Sequence, residues 1–498
     1  MFAKEKTVME ENRVRLICTR TVVSTKPVEQ GRVYRFSVFD HVMEPNHIRL
    51  VYYYQSSRTR EPGEITKKLR ESLAYTLNCY PIVTGRLVKE TDGTEENRWK
   101  VKSNDAGVRM IEARATGTVE EWRRSVNREE ELKLVHWEDM YHLPYYWSTF
   151  YVQVTEFESG GLAIGLSCTH LLADPVCAMM FIRTWADLTL TRNMMTPPLF
   201  HSLPPRRFAS HKLSSNQLLS HYIKSCSLTA PPPNLTEDYM VTITLLFPDP
   251  MVHVSENEPG LSAFEILAGL FCVCMSRAKG KRNELTDMSL CLDVRKLLRL
   301  DQSYFGNCMV YHKVHYPQPV KTKDRLLLLS YVVQEIHNVT KGLDYHAVMD
   351  LVEWLGSNNN NPISNGSDLV CTNLENMGNP RPMMFEEDLI LSHVSCYVEG
   401  HVAGGGQIIV LPSPSGERPM SRVVMVSLPQ REMVKVLEDE LLQSFSPYIL
   451  LTKDLAGNQE SWPSDNGTPA GVSVLGSSCL GHLPAYNRTC PDGRSRGD

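Results

Sequence analysis

His170 and Asp174, four residues apart in the run His-Leu-Leu-Ala-Asp, are residue types that could support acyl transfer. A neutral imidazole, whose pKa is normally about 6.5, can take the proton from a hydroxyl or amine that attacks a thioester. The run directly follows the apolar segment 161–168, which predicts a buried strand. Because catalytic side chains are common on loops where strands end, His170 is a candidate general base. Asp174 could hold the local turn by pairing with an arginine elsewhere in the chain.

The spacing alone is not specific, because it occurs a second time in the run His346-Ala-Val-Met-Asp350. With 16 histidines in the chain, a chance match is expected. The second copy lies in a helical pattern, where residues four apart share a face, and we interpret it as structural. The residues around His170 leave two roles open for it, a catalytic base or a hydrogen-bonded histidine of the core.

Strand-like and helix-like patterns alternate along the chain, as in α/β proteins. Residues 47–54 are aromatic and β-branched, which is typical of a strand, and apolar residues recur every fourth position in 65–77, which is typical of one helix face. The acidic run 129–131 is interpreted as an exposed helix face. The same criteria predict strands at 150–157, 161–168, 288–294, 406–411 and 423–428, and helices at 175–190, 263–277, 324–340 and 430–442.

Length and composition favour an ordinary globular protein of two or three domains. The 498 residues exceed one typical domain, and 42% hydrophobic with 22% charged residues is normal usage. Proline pairs punctuate a polar stretch near residue 200, and Gly, Ser, Pro, Asn and Thr dominate after residue 447. We therefore predict an N-terminal domain at 1–195, a linker at 196–235, a C-terminal domain at 236–446 and a disordered tail at 447–498.

Charge, cysteine spacing and hydropathy argue against several functional classes. The net charge of −5 gives no support for binding to nucleic acid or to an anionic membrane. The 13 cysteines form no C-x-x-C pair, so we predict no metal site. We also predict no bound cofactor. The charged N-terminal run lacks the apolar core of a secretory signal, and the longest apolar runs are too short for a transmembrane span. We predict a cytoplasmic protein.

Several blocks of the sequence occur in a characteristic order between residues 15 and 445. They are KKLRESLAYTLNCYPIVTGRL (67–87), LSCTHLLAD (166–174), LSAFEILA (261–268), CLDVR (291–295), YFGN (304–307), VCTN (370–373) and IIVLP (408–412). In this order they resemble the BAHD-type, coenzyme-A-dependent acyltransferases. The resemblance implies two α/β domains of the chloramphenicol-acetyltransferase type with a solvent channel between them. It also implies that His170 is the base in that channel and that Asp174 is a structural residue paired with Arg295.

The chain departs from the family pattern at two places. The signature Asp-Phe-Gly-Trp-Gly is expected between 383 and 404, where the sequence reads MMFEEDLILSHVSCYVEGHVAG, and Pro175 replaces the glycine that normally follows the aspartate. In the family the signature loop supports the channel wall, so its loss argues against productive acyl-CoA geometry. The blocks at 103–113, 142–150 and 160–170 resemble the eceriferum (glossy) branch of land plants, in particular its eceriferum-26-like members.

The resemblance to this branch implies a function in wax formation and leaves two hypotheses. The first is an accessory factor of very-long-chain fatty-acid elongation for cuticular wax, which acts with an elongase condensing enzyme (3-ketoacyl-CoA synthase). Such a factor would lie at the cytosolic face of the endoplasmic reticulum and would not need His170. The second is an active acyltransferase that moves an acyl group from coenzyme A to an alcohol or amine. The coenzyme A thioester would then be a substrate, with His170 as general base.

Overall fold

The computed structural model describes residues 13–29, 31–89, 98–138, 145–158, 160–204, 216–227, 240–251, 260–280, 284–316, 322, 324–358, 362–375, 383–413 and 420–451. All of them lie in one compact unit that extends to Asp454. Within these residues the chain has the predicted mixed α/β architecture, with two large β-sheets and a small one.

The helices and strands are numbered in chain order. The strands are β1 (Val14–Val22), β2 (Val33–Arg35), β3 (His47–Ser56), β4 (Arg86–Lys89), β5 (Trp99–Lys102), β6 (Val108–Ala115), β7 (Phe150–Phe157), β8 (Leu162–Thr169), β9 (Met240–Phe247), β10 (Met288–Asp293), β11 (Met309–Lys313), β12 (Leu369–Asn373), β13 (Leu389–Glu399), β14 (Gly406–Pro412), β15 (Arg422–Pro429) and β16 (Tyr448–Leu451). The helices are α1 (Val38–Val42), α2 (Glu64–Leu77), α3 (Val119–Ser125), α4 (Arg128–Glu131), α5 (Pro175–Thr191), α6 (Gln217–Ser227), α7 (Ala263–Ala278), α8 (Arg325–Gly342), α9 (Tyr345–Ser357), α10 (Gln430–Leu437) and α11 (Glu440–Ser444).

The first sheet has, within the described residues, six strands in the order β1-β6-β7-β8-β3-β13. Its strands are antiparallel except for the pair β6 and β7. All eight residues of β8 are buried inside the sheet, which explains why its sequence is continuously apolar instead of alternating. Strand β13 comes from the second half of the chain and pairs with β3. The first sheet is therefore completed by a crossover from the second half.

The second sheet has seven strands in the described part of the chain, in the order β11-β10-β12-β14-β15-β9-β16. Strands β10, β12 and β14 are parallel. Helix α7 packs on β12 and β14, begins with a reciprocal capping box between Ser262 and Glu265, and buries every residue except Arg277. This burial explains a helix that is apolar all round. Strands β2, β5 and β4 form the small third sheet.

The predicted strands and helices are all present, with three differences. Helix α6 lies inside the segment predicted as a linker, and it buries Leu218 and Tyr222 against neighbouring elements. The single helix predicted at 430–442 is two helices, because the Asp439 side chain caps the N-terminus of α11. Strand β16 extends the second sheet four residues into the segment predicted as a disordered tail. Residues 205–215 and 228–235 of the linker and 452–498 of the tail lie outside the described residues, and the domain boundaries stay a prediction.

The described residues include neither a membrane span nor a metal centre. None of the helices in these ranges is both long and apolar enough to cross a bilayer. In the same ranges, no group of three or more His, Cys, Asp or Glu side chains could hold a metal ion. The cysteines that the structure describes form no disulfide bonds with one another.

Candidate active site

His170 lies in the turn between β8 and α5, at the end of the buried strand, as the sequence predicts. Asp174 follows as the N-cap of α5, where its Oδ1 accepts the N–H of Cys177 at 2.9 Å. Pro175 therefore occupies the first helical position, where the missing backbone N–H costs nothing. The glycine-to-proline departure from the family pattern is compatible with this turn.

The Asp174 carboxylate is fully buried and points to Arg295. Nη2 of Arg295 donates to Oδ1 at 3.0 Å and to Oδ2 at 2.8 Å, and the N–H of Cys308 donates to Oδ2 at 3.0 Å. Burial by itself raises the pKa of Asp174, but Arg295 and the backbone N–H groups of Cys177 and Cys308 outweigh it and hold that pKa below its usual value. Asp174 is thus an ionised carboxylate at neutral pH.

Arg295 in turn connects the block CLDVR (291–295) to the block YFGN (304–307) by hydrogen bonds. Its Nη2 donates to the Gly306 carbonyl at 2.7 Å, its Nε donates to the Tyr304 carbonyl at 3.3 Å, and its Nη1 contacts Asp293 at 3.1 Å. Burial lowers the pKa of Arg295, but Asp174 outweighs it and keeps that pKa well above the usual range. The turn of His170 is therefore anchored to the second half of the chain by a buried ion pair.

The His170 ring is buried and has no hydrogen-bond partner in the described part of the chain. The residue is 1% exposed, and both Nδ1 and Nε2 lack a partner. Burial lowers the pKa of His170, and His47 lowers it further, whereas Asp174 and the nearby Asn307 side chain act in the opposite direction. The imidazole is therefore neutral at physiological pH, which is the protonation state of a general base. Asp174 does not orient the ring.

The His170 main chain, in contrast, is held on both sides by residues that the sequence analysis did not assign to the site. Its N–H donates to the Asn46 carbonyl at 2.9 Å, and its carbonyl accepts Nδ2 of Asn307 at 2.8 Å. Asn307 also donates through its backbone N–H and its Nδ2 to Asp40, at 2.9 and 2.7 Å. The block YFGN contains Asn307, but no spacing in the sequence points to Asp40 or Asn46.

The lowered pKa of His170 predicts a pH dependence of stability. The unfolded chain binds a proton at this residue near pH 6.5, whereas the folded chain does so only at lower pH. Stability contributed by the neutral imidazole is therefore complete above pH 6.5 and is lost as the pH falls below it. We expect His170→Gln to flatten the fall in melting temperature on acidification. The exposed control His201→Gln should keep the wild-type profile, and an unchanged His170→Gln profile would contradict the prediction.

The segment that stands where the second signature is expected also reaches this turn. It consists of β13, a 3₁₀ turn at His401–Ala403 flanked by Gly400 and Gly404, and the start of β14. The N–H of Val402 donates to Oδ1 of Asn46 at 3.1 Å. The segment thus lacks the signature residues, yet it is hydrogen-bonded to the residue that holds the N–H of His170.

Two other sequence interpretations have different outcomes. His346 and Asp350 lie together in α9, as the helical pattern predicts. Glu131 is not part of an exposed face, because it is fully buried and its carboxylate accepts hydrogen bonds from Tyr53, Ser395 and Tyr397. Burial raises the pKa of Glu131, although the three hydroxyl donors counteract this shift.

Comparison with known proteins agrees with this fold. The model of a family described as the Transferase family matches residues 12–442. The chain is 25% identical over 429 residues to Protein ECERIFERUM 26-like of Arabidopsis thaliana, covering 84% of this chain and 92% of that protein. It is 24% identical over 432 residues to shikimate O-hydroxycinnamoyltransferase of Nicotiana tabacum, covering 82% and 94%.

Among solved structures, F. sporotrichioides TRI101 in complex with coenzyme A and T-2 superposes with a TM-score of 0.62 and 13% identity, over 84% of this chain and 99% of that one. The predicted chloramphenicol-acetyltransferase-type fold is confirmed. The resemblance to BAHD acyltransferases and to their eceriferum branch is confirmed as well. With the family model matching most of its length, the chain belongs to the Transferase family of BAHD-type acyltransferases.

Proposed function

We propose that this protein is an accessory factor of very-long-chain fatty-acid elongation for cuticular wax. In this proposal it acts with an elongase condensing enzyme at the cytosolic face of the endoplasmic reticulum. The observation that supports it is the enclosure of His170, whose ring nitrogens are buried and have no hydrogen-bond partner among the described residues. A general base must come within about 3 Å of the proton it removes, so an acceptor reaches this ring only after rearrangement. The similarity to Protein ECERIFERUM 26-like supports a wax-related function.

A second candidate function, coenzyme-A-dependent acyl transfer, is favoured by the missing hydrogen-bond partners of the same ring. Leaving a buried polar group without a partner costs about 1–3 kcal/mol, and both nitrogens of the neutral His170 ring are in that state. A substrate hydroxyl or amine would provide the missing partner. His170 would then take the proton from the acceptor as it attacks the thioester carbonyl, and coenzyme A would leave as the thiol. Asp174 and Arg295 would hold the turn and would not contact the reacting atoms.

The two functions predict opposite results for His170→Ala. In yeast cells that carry a plant elongase condensing enzyme, we expect wild type and His170→Ala to lengthen the fatty-acid products equally, because an accessory role needs no base. Loss of a general base typically lowers a rate about 10²- to 10⁴-fold, so acyl transfer predicts that His170→Ala is inactive. The measurement is the chain-length profile of total fatty acids by gas chromatography.

The matched control is His346→Ala, which removes the histidine of the second run with the same spacing, in α9. It is expected to behave as wild type under both hypotheses. Expression of each variant is compared by immunoblot, because a variant that does not accumulate gives no information on chemistry. An active wild type with an inactive, normally expressed His170→Ala would reject the accessory role. A wild-type protein that does not change the profile at all would reject it too.

A further inference from the structure

The hydrogen bonds that hold His170 are made by its main chain and not by its ring. The ring nitrogens have no hydrogen-bond partner among the described residues, whereas the N–H and the carbonyl of the same residue are both engaged. Asn307 holds the carbonyl and is itself held by Asp40. Asn46 holds the N–H through its own backbone carbonyl. Whatever fixes Asn46 therefore also fixes the backbone from which the imidazole projects.

Asn46 is fixed by its side chain. The residue is 2% exposed, its Nδ2 donates to the Met43 carbonyl at 3.2 Å, and its Oδ1 accepts the N–H of Val402 at 3.1 Å. Met43 is a local neighbour, but Val402 is 356 positions away in the sequence. Val402 belongs to the segment Gly400–Gly404, which joins β13 in the first sheet to β14 in the second. Asn46 thus connects the crossover between the two sheets to the turn of His170.

The contact between Asn46 and this crossover segment depends on a glycine. Gly400 has a φ of 110°, in the region that favours glycine. A Cβ at this position would lie 2.4 Å from Oδ1 of Asn46 and 2.8 Å from the Pro45 carbonyl. No side chain fits there unless Asn46 moves. The close approach of the Gly400 backbone to the Asn46 side-chain amide therefore requires glycine at position 400.

The residue before this glycine fixes the start of the crossover segment. The Glu399 carboxylate lies 2.8 Å from Nε2 of His47, 2.9 Å from Nε of Arg49 and 2.7 Å from Nη2 of Arg128. Burial raises the pKa of Glu399, but these neighbours outweigh it and lower that pKa to about 2. The segment is thus anchored by charge at Glu399 and by hydrogen bonds at Val402, where Asn365 Nδ2 also holds the carbonyl at 2.8 Å.

We propose that Asn46 is a positioning residue for His170, which transmits the placement of the Gly400–Gly404 crossover to the imidazole. The proposal does not rest on either function proposed above, because it concerns the orientation and enclosure of the ring and not its use. It predicts that the ring becomes accessible when the contact between Asn46 and the crossover is broken from either side.

Accessibility of the ring can be measured with diethyl pyrocarbonate, which acylates a neutral imidazole nitrogen. Modification of the peptide that contains His170 is followed by mass spectrometry, and the melting temperature of each variant is recorded in parallel. We expect Asn46→Ala and Gly400→Ala each to speed modification of His170 about five- to tenfold, as loss of one buried hydrogen bond implies. The double variant should be no faster than the faster single variant, because both changes break the same contact.

Two further variants separate positioning from general loosening. Asn46→Asp keeps the acceptor oxygen for Val402 and should keep His170 slow to react, even though a buried charge lowers the melting temperature. Asn216→Ala is the matched control, since Asn216 also donates to one backbone carbonyl and accepts one backbone N–H, those of Ala347 and Leu219. It should leave the His170 rate unchanged. A His170 rate that simply follows the melting temperature across all variants would overturn the proposal.

Wild-type protein provides a test that does not depend on any variant folding. The amides of His170 and Val402 are on opposite sides of Asn46, so their hydrogen exchange should be protected to the same extent and should accelerate together in urea. Exchange of the His170 amide that is independent of Val402 would show that Asn46 does not couple the two segments, and the proposal would be wrong.

Discussion

Replacing Arg295 by methionine is expected to lower the free energy of unfolding by about 3–5 kcal/mol, because it leaves the Asp174 carboxylate buried without its counter-ion. The two side chains are 4% and 0% exposed, so water cannot replace the lost partner. Methionine keeps the unbranched part of the side chain as far as the position of Nε but lacks the guanidinium, so the loss combines charge, hydrogen bonding and some packing. The measurement is urea unfolding monitored by tryptophan fluorescence. The shift of the midpoint gives the loss of stability if wild type and variant have the same dependence of the unfolding free energy on urea concentration.

The pH dependence of this loss distinguishes the ion pair from a packing defect. In the wild type the lowered pKa of Asp174 contributes stability that is present above the usual value near 3.8 and is lost as the pH falls through the folded-state value. Without Arg295, burial raises that pKa, so the penalty of the variant is largest at neutral pH and shrinks on acidification. A penalty that is equal at pH 7 and pH 5 would contradict the ion-pair explanation.

A double variant provides the control for the same argument. Asn at position 174 can still cap α5 through its Oδ1 and carries no charge. We therefore expect Asp174→Asn combined with Arg295→Met to be more stable than Arg295→Met alone. The recovery should be partial, because the amide nitrogen would face the N–H of Cys308, which donates to Asp174 in the wild type.

The parts of the site that follow from local sequence were predictable. A continuous apolar run predicts a strand buried on both faces, and an aspartate followed by proline predicts a helix start, so the turn of His170 could be placed before the structure was known. The pairing of Asp174 with Arg295 spans 121 positions, and only the resemblance to a family pointed to it. Physical reasoning from spacing alone left the partner of Asp174 open.

The residues that were missed are those whose role arises only from distant contacts. Nothing in the local sequence distinguishes Asn46. Its structural role depends on its hydrogen bond with Val402, in the second half of the chain. Glu131 lies in a helix of four residues, which is too short for periodicity to show which side is buried. Its hydroxyl partners Ser395 and Tyr397 are on β13, more than 260 positions away. The crossover of β13 into the first sheet brings Ser395 and Tyr397 next to Glu131. No local sequence pattern predicts that crossover.

The second large effect on stability is expected at Gly165, in the buried strand β8 that leads into the turn of His170. A Cβ at this position would lie 2.2 Å from the Leu134 carbonyl oxygen and 2.8 Å from Cα of Val135. These atoms belong to the backbone of a segment that crosses the sheet, so no side-chain rotation can relieve the contact. We expect Gly165→Ala to destabilise the protein by about 3 kcal/mol, at the upper end of the usual cost of overpacking. The measurement is again the urea midpoint.

The control for Gly165→Ala is Gly342→Ala at the exposed end of α8, where a Cβ would meet nothing within 4 Å. Alanine is a better helix former than glycine and restricts the unfolded chain, so this variant should be neutral or more stable by up to about 1 kcal/mol. Opposite signs for the same substitution would show that close backbone approach at β8, and not glycine content, limits stability. A Gly165→Ala variant as stable as wild type would mean that the segment at Leu134 and Val135 can move away from the sheet. The enclosure of the neighbouring His170 turn would then be less rigid than its hydrogen bonds indicate, and acceptor access to the ring would require less rearrangement.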